Sequence, residues 1–144
     1  GCIQSSDGAF LLGVMGAHTF NAGQIYFPCG TPDLNDIAKN QVDFDYSIRR
    51  EVAEETGVDV RVTGLIGLYT DPQFVVRSAA GEVRQQFVVL LRASAVSGRP
   101  RADRRETNAA AWVAPTRVAE LRMQAPVRAW IRDALDDTGV PHVD

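Results

Sequence analysis

The sequence predicts an α/β fold in which a mixed β-sheet carries helices on its faces. Three features predict it. Apolar runs of strand length, bounded by turn residues, fill the first part of the chain and return after its middle. One long amphipathic helix with recognisable ends lies between them. A second helical stretch closes the sequence, so the order is strands, helix, strands, helix. The 144 residues suit one compact domain, taken as 1–144, and leave little room for a second.

Residues 2–15 read as two strands around the turn Ser5-Ser6-Asp7-Gly8, the second being the apolar run Ala9–Met15. Gly16–Gly23 reads as a loop, and Gln24–Phe27 as a short strand ending at Pro28. Cys29–Val42 is a long connection with room for a turn of helix near Leu34–Ala38; loops of this length often carry function. Asp43 is a good N-cap for a helix over 44–56, whose Phe44, Ile48 and Val52 form an apolar stripe. Gly57 is placed to end it in the left-handed conformation. Strands are expected at Val58–Leu68, broken near Gly64, and at Gln86–Ala93, with a turn at Asp71-Pro72 and a hairpin turn at Ala80-Gly81 between them. Ser97–Asn108 is a polar loop, Ala109–Val113 a last strand, Thr116–Leu121 a short helix and Pro126–Leu135 a longer one with proline in its first turn.

Composition excludes several classes of function. Apolar residues make up 45% and charged residues 23%, with a net charge of −3, so the surface does not attract a nucleic acid backbone unless its cations cluster. Arg99, Arg101, Arg104 and Arg105 come nearest to a cluster, but Asp103 and Glu106 interrupt it; it reads first as a solvated loop and second as a phosphate-attracting rim. Cys2 and Cys29 have neither zinc-site spacing nor a disulfide framework around them, so a reducing, cytoplasmic setting is the expectation. No apolar run approaches membrane-spanning length and no signal peptide is visible.

The chemistry gathers on the 44–56 helix. At about 100° per residue, Glu55 lies roughly 40° to one side of Glu51 and Glu54 roughly 60° to the other. The three carboxylates share one side of the helix, beside the apolar stripe and away from Arg49 and Ala53. Like charges three and four residues apart repel, and partial burial makes ionisation harder. Arg50 relieves only one of them. A hard divalent cation such as Mg²⁺ or Mn²⁺ relieves the rest, and it also suits phosphate chemistry. The competing reading is an ordinary acidic surface helix, which a bare Glu-Glu pair would favour.

The pattern here is longer than a pair. Arg50-Glu51-Val52-x-Glu54-Glu55-x-Gly57-Val58 resembles the second half of the Nudix box, Gly-x5-Glu-x7-Arg-Glu-U-x-Glu-Glu-x-Gly-U with U aliphatic. All specified positions of that half match, against a chance expectation of about 1 in 10⁵. Phe27-Pro28-Cys29-Gly30 resembles the family's approach to the box, and Trp112-Val113 its late strand. The resemblance implies a Nudix-type α/β/α sandwich with a mixed β-sheet between helices. It implies hydrolysis of a phosphoanhydride bond in a nucleoside diphosphate linked to another moiety, with a non-catalytic nucleotide-sensing module of the same family as the alternative. By the same resemblance Glu51, Glu54 and Glu55 bind Mg²⁺ or Mn²⁺ together with the Cys29 backbone carbonyl. Arg50 orients the glutamates through a salt bridge, and Glu106, on the late loop, serves as base or extra ligand unless it is a plain loop acid. A nucleotide-type small molecule is the implied partner, and a homodimer is a common assembly.

The first half of the box departs from the pattern. The pattern places 13 residues between its glycine and its arginine; 19 separate Gly30 from Arg50, an excess of six. Counting back from Arg50 puts the box glutamate at Val42, whereas counting forward from Gly30 puts it at Asp36, and in an uninterrupted box the two counts exclude each other. The inserted residues are expected within Gly30–Asp36 or just after it. Among other residues, His18 is either a solvated loop histidine or a substrate contact, while Tyr26, Phe74 and Trp112 are core or pocket-wall residues of which one is available to stack on a base. Pro72 resembles a proline recurring in ADP-ribose-cleaving members, although a simple turn former explains it as well. Arg77, Arg84 and Arg92 are unranked candidates for terminal phosphates, and His142 carries no signal.

Overall fold

The computed structural model describes residues 1–19, 21–77, 81–136 and 138–144. Its strands are β1 (Cys2–Gln4), β2 (Phe10–Met15), β3 (Ile25–Tyr26), β4 (Ile37–Ala38), β5 (Gln41–Val42), β6 (Val58–Tyr69), β7 (Val75–Arg77), β8 (Val83–Gln85), β9 (Val88–Gly98), β10 (Thr107–Val113) and β11 (His142–Val143). The α-helices are α1 (Phe44–Thr56) and α2 (Ala125–Leu135), with 3-10 turns at Leu34–Asp36 and Pro115–Glu120. The main sheet runs β10-β2-β1-β9-β6-β11, with β3 also paired to β2. It is mixed, because β1 runs parallel to β9 and β11 to β6 while the other pairs are antiparallel.

Alternation along the central strands explains why both faces are covered. Cys2, Phe10 and Leu12 point to a core shared with Val127, Trp130 and Ile131 of α2. Their neighbours Ile3 and Leu11 point the other way, to a smaller core with Val52 of α1 and Val58, Val60 and Ala93. The result is the α/β/α sandwich that the resemblance implied.

The start of α1 is set by the Asp43 carboxylate, which accepts the Tyr46 N–H at 2.9 Å. Its end is set by Gly57 at φ +68°, whose N–H reaches the Ala53 carbonyl at 2.9 Å. The expected stripe is graded: Val52 is fully buried, Ile48 partly, and Phe44 is 46% exposed. Phe44 precedes the region where α1 lies on the sheet, so it borders a cavity instead.

Other boundaries move. The expected break near Gly64 is a change of register within one continuous strand, since β6 pairs with β9 across shifts at Val62/Gly64 and Leu65/Gly67. β9 runs on through Ser97 and Gly98, and the polar loop is shorter by that much. The short helix after Trp112 is a 3-10 turn. β7 and β8 form the expected hairpin, though Ala80 of its turn lies outside the described residues. His142 is not uninformative: it adds an edge strand beside Gly67 and stacks on Tyr69 at 5.0 Å. No described helix is long and apolar enough to cross a membrane.

Candidate active site

The three glutamates of α1 differ sharply in environment. Glu54 is an exposed side chain, Glu51 keeps 15% of its side-chain surface, and Glu55 is only 3% exposed. The helical wheel placed all three at one edge; what separates them is the chain that covers the edge. Cys29 lies against Glu55 and Gly30 against Glu51. The Cys29 N–H donates to Glu55 Oε2 at 3.3 Å. At Gly30 an added Cβ would come within 2.3 Å of the Glu51 carboxyl carbon, so a larger residue there would displace the Glu51 side chain from this position.

Burial raises the Glu55 carboxyl to about 8, and the charge of Glu51 pushes it the same way. Glu51 is also raised, first by burial, with Arg50 opposing and Glu54 and Glu106 adding to the rise. Glu55 Oε1 is buried with no hydrogen-bond partner among the described residues. The cluster therefore holds more negative charge than its protein surroundings neutralise.

Among the described residues, Arg50 is the side-chain cation paired with it. Its guanidinium lies 2.9 Å from Glu51, 3.5 Å from Glu54 and 3.6 Å from Asp33. Its firmest hold is Asp36, which accepts Nε at 3.3 Å and Nη2 at 3.2 and 3.1 Å. Asp36 is 1% exposed and also accepts the Asp33 N–H at 2.9 Å and the Ser47 hydroxyl at 3.2 Å. The Asp33 N–H, with Arg50 and Ser47, holds its carboxyl below the usual range against the opposing effect of burial.

This settles the two counts along the box. Ile37 pairs with Val42 and Ala38 with Gln41, as a hairpin whose turn residues Lys39 and Asn40 have φ of +51° and +62°. Asp43 N–H returns to the Asp36 carbonyl at 2.7 Å. The insertion is therefore residues 37–42, just after Gly30–Asp36. Once these six are set aside, Asp36 is both six positions after Gly30 and eight before Arg50. Val42 is exposed on the hairpin and is not the box position. An acid does occupy the first-half position, shortened by one methylene. Replacing residues 37–42 by an Asn-Gly turn is expected to leave the melting temperature within about 3 °C and turnover within about threefold, because the Asp36–Asp43 bond already closes the gap. Thermal melts and steady-state rates check this; an unfolded product would show that the hairpin supports the helix.

Glu106 is exposed on the loop before β10 and opens into the same cavity as Glu51, Cys29 and Gly30. Its charge contributes to the rise at both Glu51 and Glu55. The Cys29 thiol is pushed up to about 12, chiefly by burial, so it is a neutral thiol and not a thiolate ligand. Arg99, Arg101, Arg104 and Arg105 are all exposed, with Arg101 laid over Gly57. Arg84 pairs with Glu82, and Arg92 donates to Gln4 and to the Ala134 carbonyl. Asp71-Pro72 is a turn, closed by Phe74 N–H to the Asp71 carbonyl at 2.9 Å.

The cavity measures about 680 Å³ and continues past the acids to His18, Asn21, Tyr26, Gln86 and Trp130. Phe74 and Tyr26 meet Trp130 edge-on at 5.6 and 5.7 Å, whereas Trp112 packs with the α1 core on the other face. Asn21, Gln86 and Trp130 had no signal in the sequence: an amide in a loop and a tryptophan in an apolar helix stripe look like many others. Another concavity, of about 580 Å³, lies between β6 and the segment Thr138–His142, and none of the box acids lines it.

The donor set suits a hard divalent cation: three carboxylates, one with a buried oxygen unsatisfied among the described residues, beside the Cys29-Gly30 backbone. As the side chains stand, no three His, Cys, Asp or Glu groups among the described residues converge on one point. Glu51 and Glu54 are turned to Arg50 instead.

The sandwich carries its Arg-Glu-x-x-Glu-Glu helix beside the cavity, with Glu51 in the cavity wall, and this combination defines a hydrolase scaffold. The NUDIX domain pattern matches residues 2–135, and the chain belongs to that family of hydrolases. Solved structures agree on the fold. A NUDIX hydrolase from Nitrosomonas europaea is 21% identical, with TM-score 0.65 over 94% of this chain and 84% of its own. An ADP-ribose pyrophosphatase from Streptococcus suis is 16% identical, with TM-score 0.64 over 99% and 92%. The NUDIX domain of Shewanella oneidensis NrtR, complexed with ADP ribose, is 16% identical, with TM-score 0.64 over 94% and 82%. No curated protein sequence matches.

Proposed function

We propose that this chain hydrolyses a phosphoanhydride bond in a nucleoside diphosphate linked to another moiety, with Mg²⁺ or Mn²⁺. The observation that carries the reading is Glu55: a buried carboxylate, next to a second one, with an oxygen that no donor among the described residues reaches. A structural acidic helix has no reason to keep such a group, whereas a cation-binding one does.

Glu51, Glu54, Glu55 and the Cys29 carbonyl would hold the cation. When bound, it supplies charge neutralisation for the phosphate oxygens and lowers the pKa of water. Arg50, anchored on Asp36, restrains Glu51 and Glu54 on one side of α1. Glu106 lines the same cavity as Glu51, and its charge acts on both Glu51 and Glu55; in this reading it takes a proton from the attacking water or adds a ligand. The aromatic cavity wall around Tyr26 and Trp130 has room for the nucleoside end of the substrate.

The test is a Mg²⁺-dependent hydrolysis panel of ADP-ribose, NADH, dinucleoside polyphosphates and oxidised nucleoside triphosphates. Release of a nucleoside monophosphate or phosphate from at least one is expected. ADP-ribose comes first, because the Streptococcus suis relative is an ADP-ribose pyrophosphatase and the NrtR domain is complexed with ADP ribose. Binding of a panel member in Mg²⁺ with no turnover would instead support a nucleotide-sensing module.

A further inference from the structure

We infer that Asp103 is the positioning residue for Glu106, fixing its backbone relative to the acid cluster of α1. The inference rests on the reading that Glu106 acts at that cluster. Glu106 lies in an exposed loop, and a loop alone does not hold a reacting group to the tolerance that proton transfer needs. Something must fix it, and in the sequence Asp103 reads only as a charge that interrupts a run of arginines.

The loop is tied at both ends of the problem by one residue. The Asp103 N–H donates to the Glu55 carbonyl at 3.3 Å, and the nearby Arg101 N–H donates to the Thr56 carbonyl at 2.8 Å. These are carbonyls that the last turn of α1 leaves without helical partners. The Asp103 carboxylate then turns toward the strand. Oδ1 accepts the N–H groups of Arg105 at 3.0 Å, Glu106 at 3.1 Å and Thr107 at 2.9 Å, and Oδ2 accepts Glu106 N–H at 3.2 Å. The Glu106 carbonyl is held from the other side by Gly16 N–H at 2.7 Å. Asp103 thus bridges the backbone of one box glutamate and the backbone of Glu106.

Two further details fit a bracket and not a loose turn. Arg104 has φ +62°, a conformation that a non-glycine residue adopts only when its surroundings fix it, and its N–H bonds to the Thr107 carbonyl at 3.0 Å. Thr107, which follows Glu106, is 1% exposed, so β10 is anchored from its first residue. The short span between bracket and anchor holds the Glu106 backbone while its side chain is exposed.

The test uses the full chain with Mg²⁺ and the panel substrate it cleaves best. Asp103→Ala is expected to lower kcat about 10- to 100-fold with KM changed less than threefold. Asp103→Asn, which keeps an acceptor oxygen, should recover most of that loss. In a Glu106→Gln background, Asp103→Ala should change kcat less than twofold, because its effect passes through Glu106. Amide exchange at Glu106 and Thr107 should accelerate at least tenfold in Asp103→Ala while amides within α1 keep their protection. Equal losses from Asp103→Ala in both backgrounds, or unchanged exchange, overturn the positioning role alone. Wild-type kcat in Glu106→Gln removes the reading of Glu106 itself, and the positioning role with it.

Discussion

Glu55→Gln is expected to reduce Mg²⁺-dependent turnover by about 10²–10³-fold and, at pH 8, to stabilise the metal-free protein. The two effects have one cause. The buried carboxylate is poorly solvated and sits beside Glu51, so its pKa is raised from the ordinary 4.5 to about 8. The folded protein then binds this proton more tightly than the unfolded chain does. Below pH 4.5 both states are protonated and ionisation costs nothing. Between 4.5 and 8 the unfolded chain gives up the proton first, and stability falls as pH rises. Above 8 the whole penalty is present, on the order of a few kcal/mol. Glu51, also raised, adds to the slope with the same sign.

Melting curves in chelator from pH 5 to pH 9 check the first half. The wild-type midpoint should fall by about 5–10 °C across that range, and the Glu55→Gln midpoint by much less. Adding Mg²⁺ at pH 8 checks the second half. The wild type should recover stability, because a bound cation offsets the charge. Glu55→Gln should recover little. A variant that keeps its Mg²⁺-dependent rise and its turnover would show that the cation binds elsewhere.

How much of this was legible beforehand depended on which residues announce themselves locally. α1 did: Asp43, the apolar period and Gly57 are all within one segment, and the acids sit at fixed angles on it. The wheel gave those angles but not the covering chain, so it could not tell that Glu55 is buried and Glu54 exposed. Asp36 was half legible. Its spacing from Gly30 is right, but the hairpin that restores its spacing to Arg50 has no glycine at its turn; Lys39 and Asn40 take the left-handed conformation unaided. β11 was invisible because two residues carry no periodicity, and their pairing with β6 is a contact between distant parts of the chain. Asp103 was misread for a physical reason as well. Among four arginines it looks like a charge interrupting a basic run, whereas its carboxylate is occupied by backbone N–H groups.

Asp36→Ala is expected to raise the Mg²⁺ concentration for half-maximal activity about 10- to 100-fold, with a smaller loss of kcat at saturating metal. The melting temperature should fall on the order of 5–10 °C, because Arg50 and Ser47 lose their common partner. The larger effect on metal follows from how the guanidinium is shared. Arg50 reaches Asp36 with Nε and Nη2, and it reaches Glu51 and Glu54 with Nη2 and Nη1. Asp36 thus draws the cation toward the base of the hairpin and away from the two glutamates. Without it, the whole guanidinium is free to neutralise Glu51 and Glu54, the carboxylates that the proposed function assigns to the divalent cation. The competition is electrostatic, so Asp36→Asn, which keeps the shape and loses the charge, should shift the Mg²⁺ requirement nearly as far as alanine. If Asn behaves as wild type, Asp36 matters through its hydrogen bonds and not through its charge. If neither variant moves the metal requirement, Arg50 is not restrained by Asp36 in the active protein.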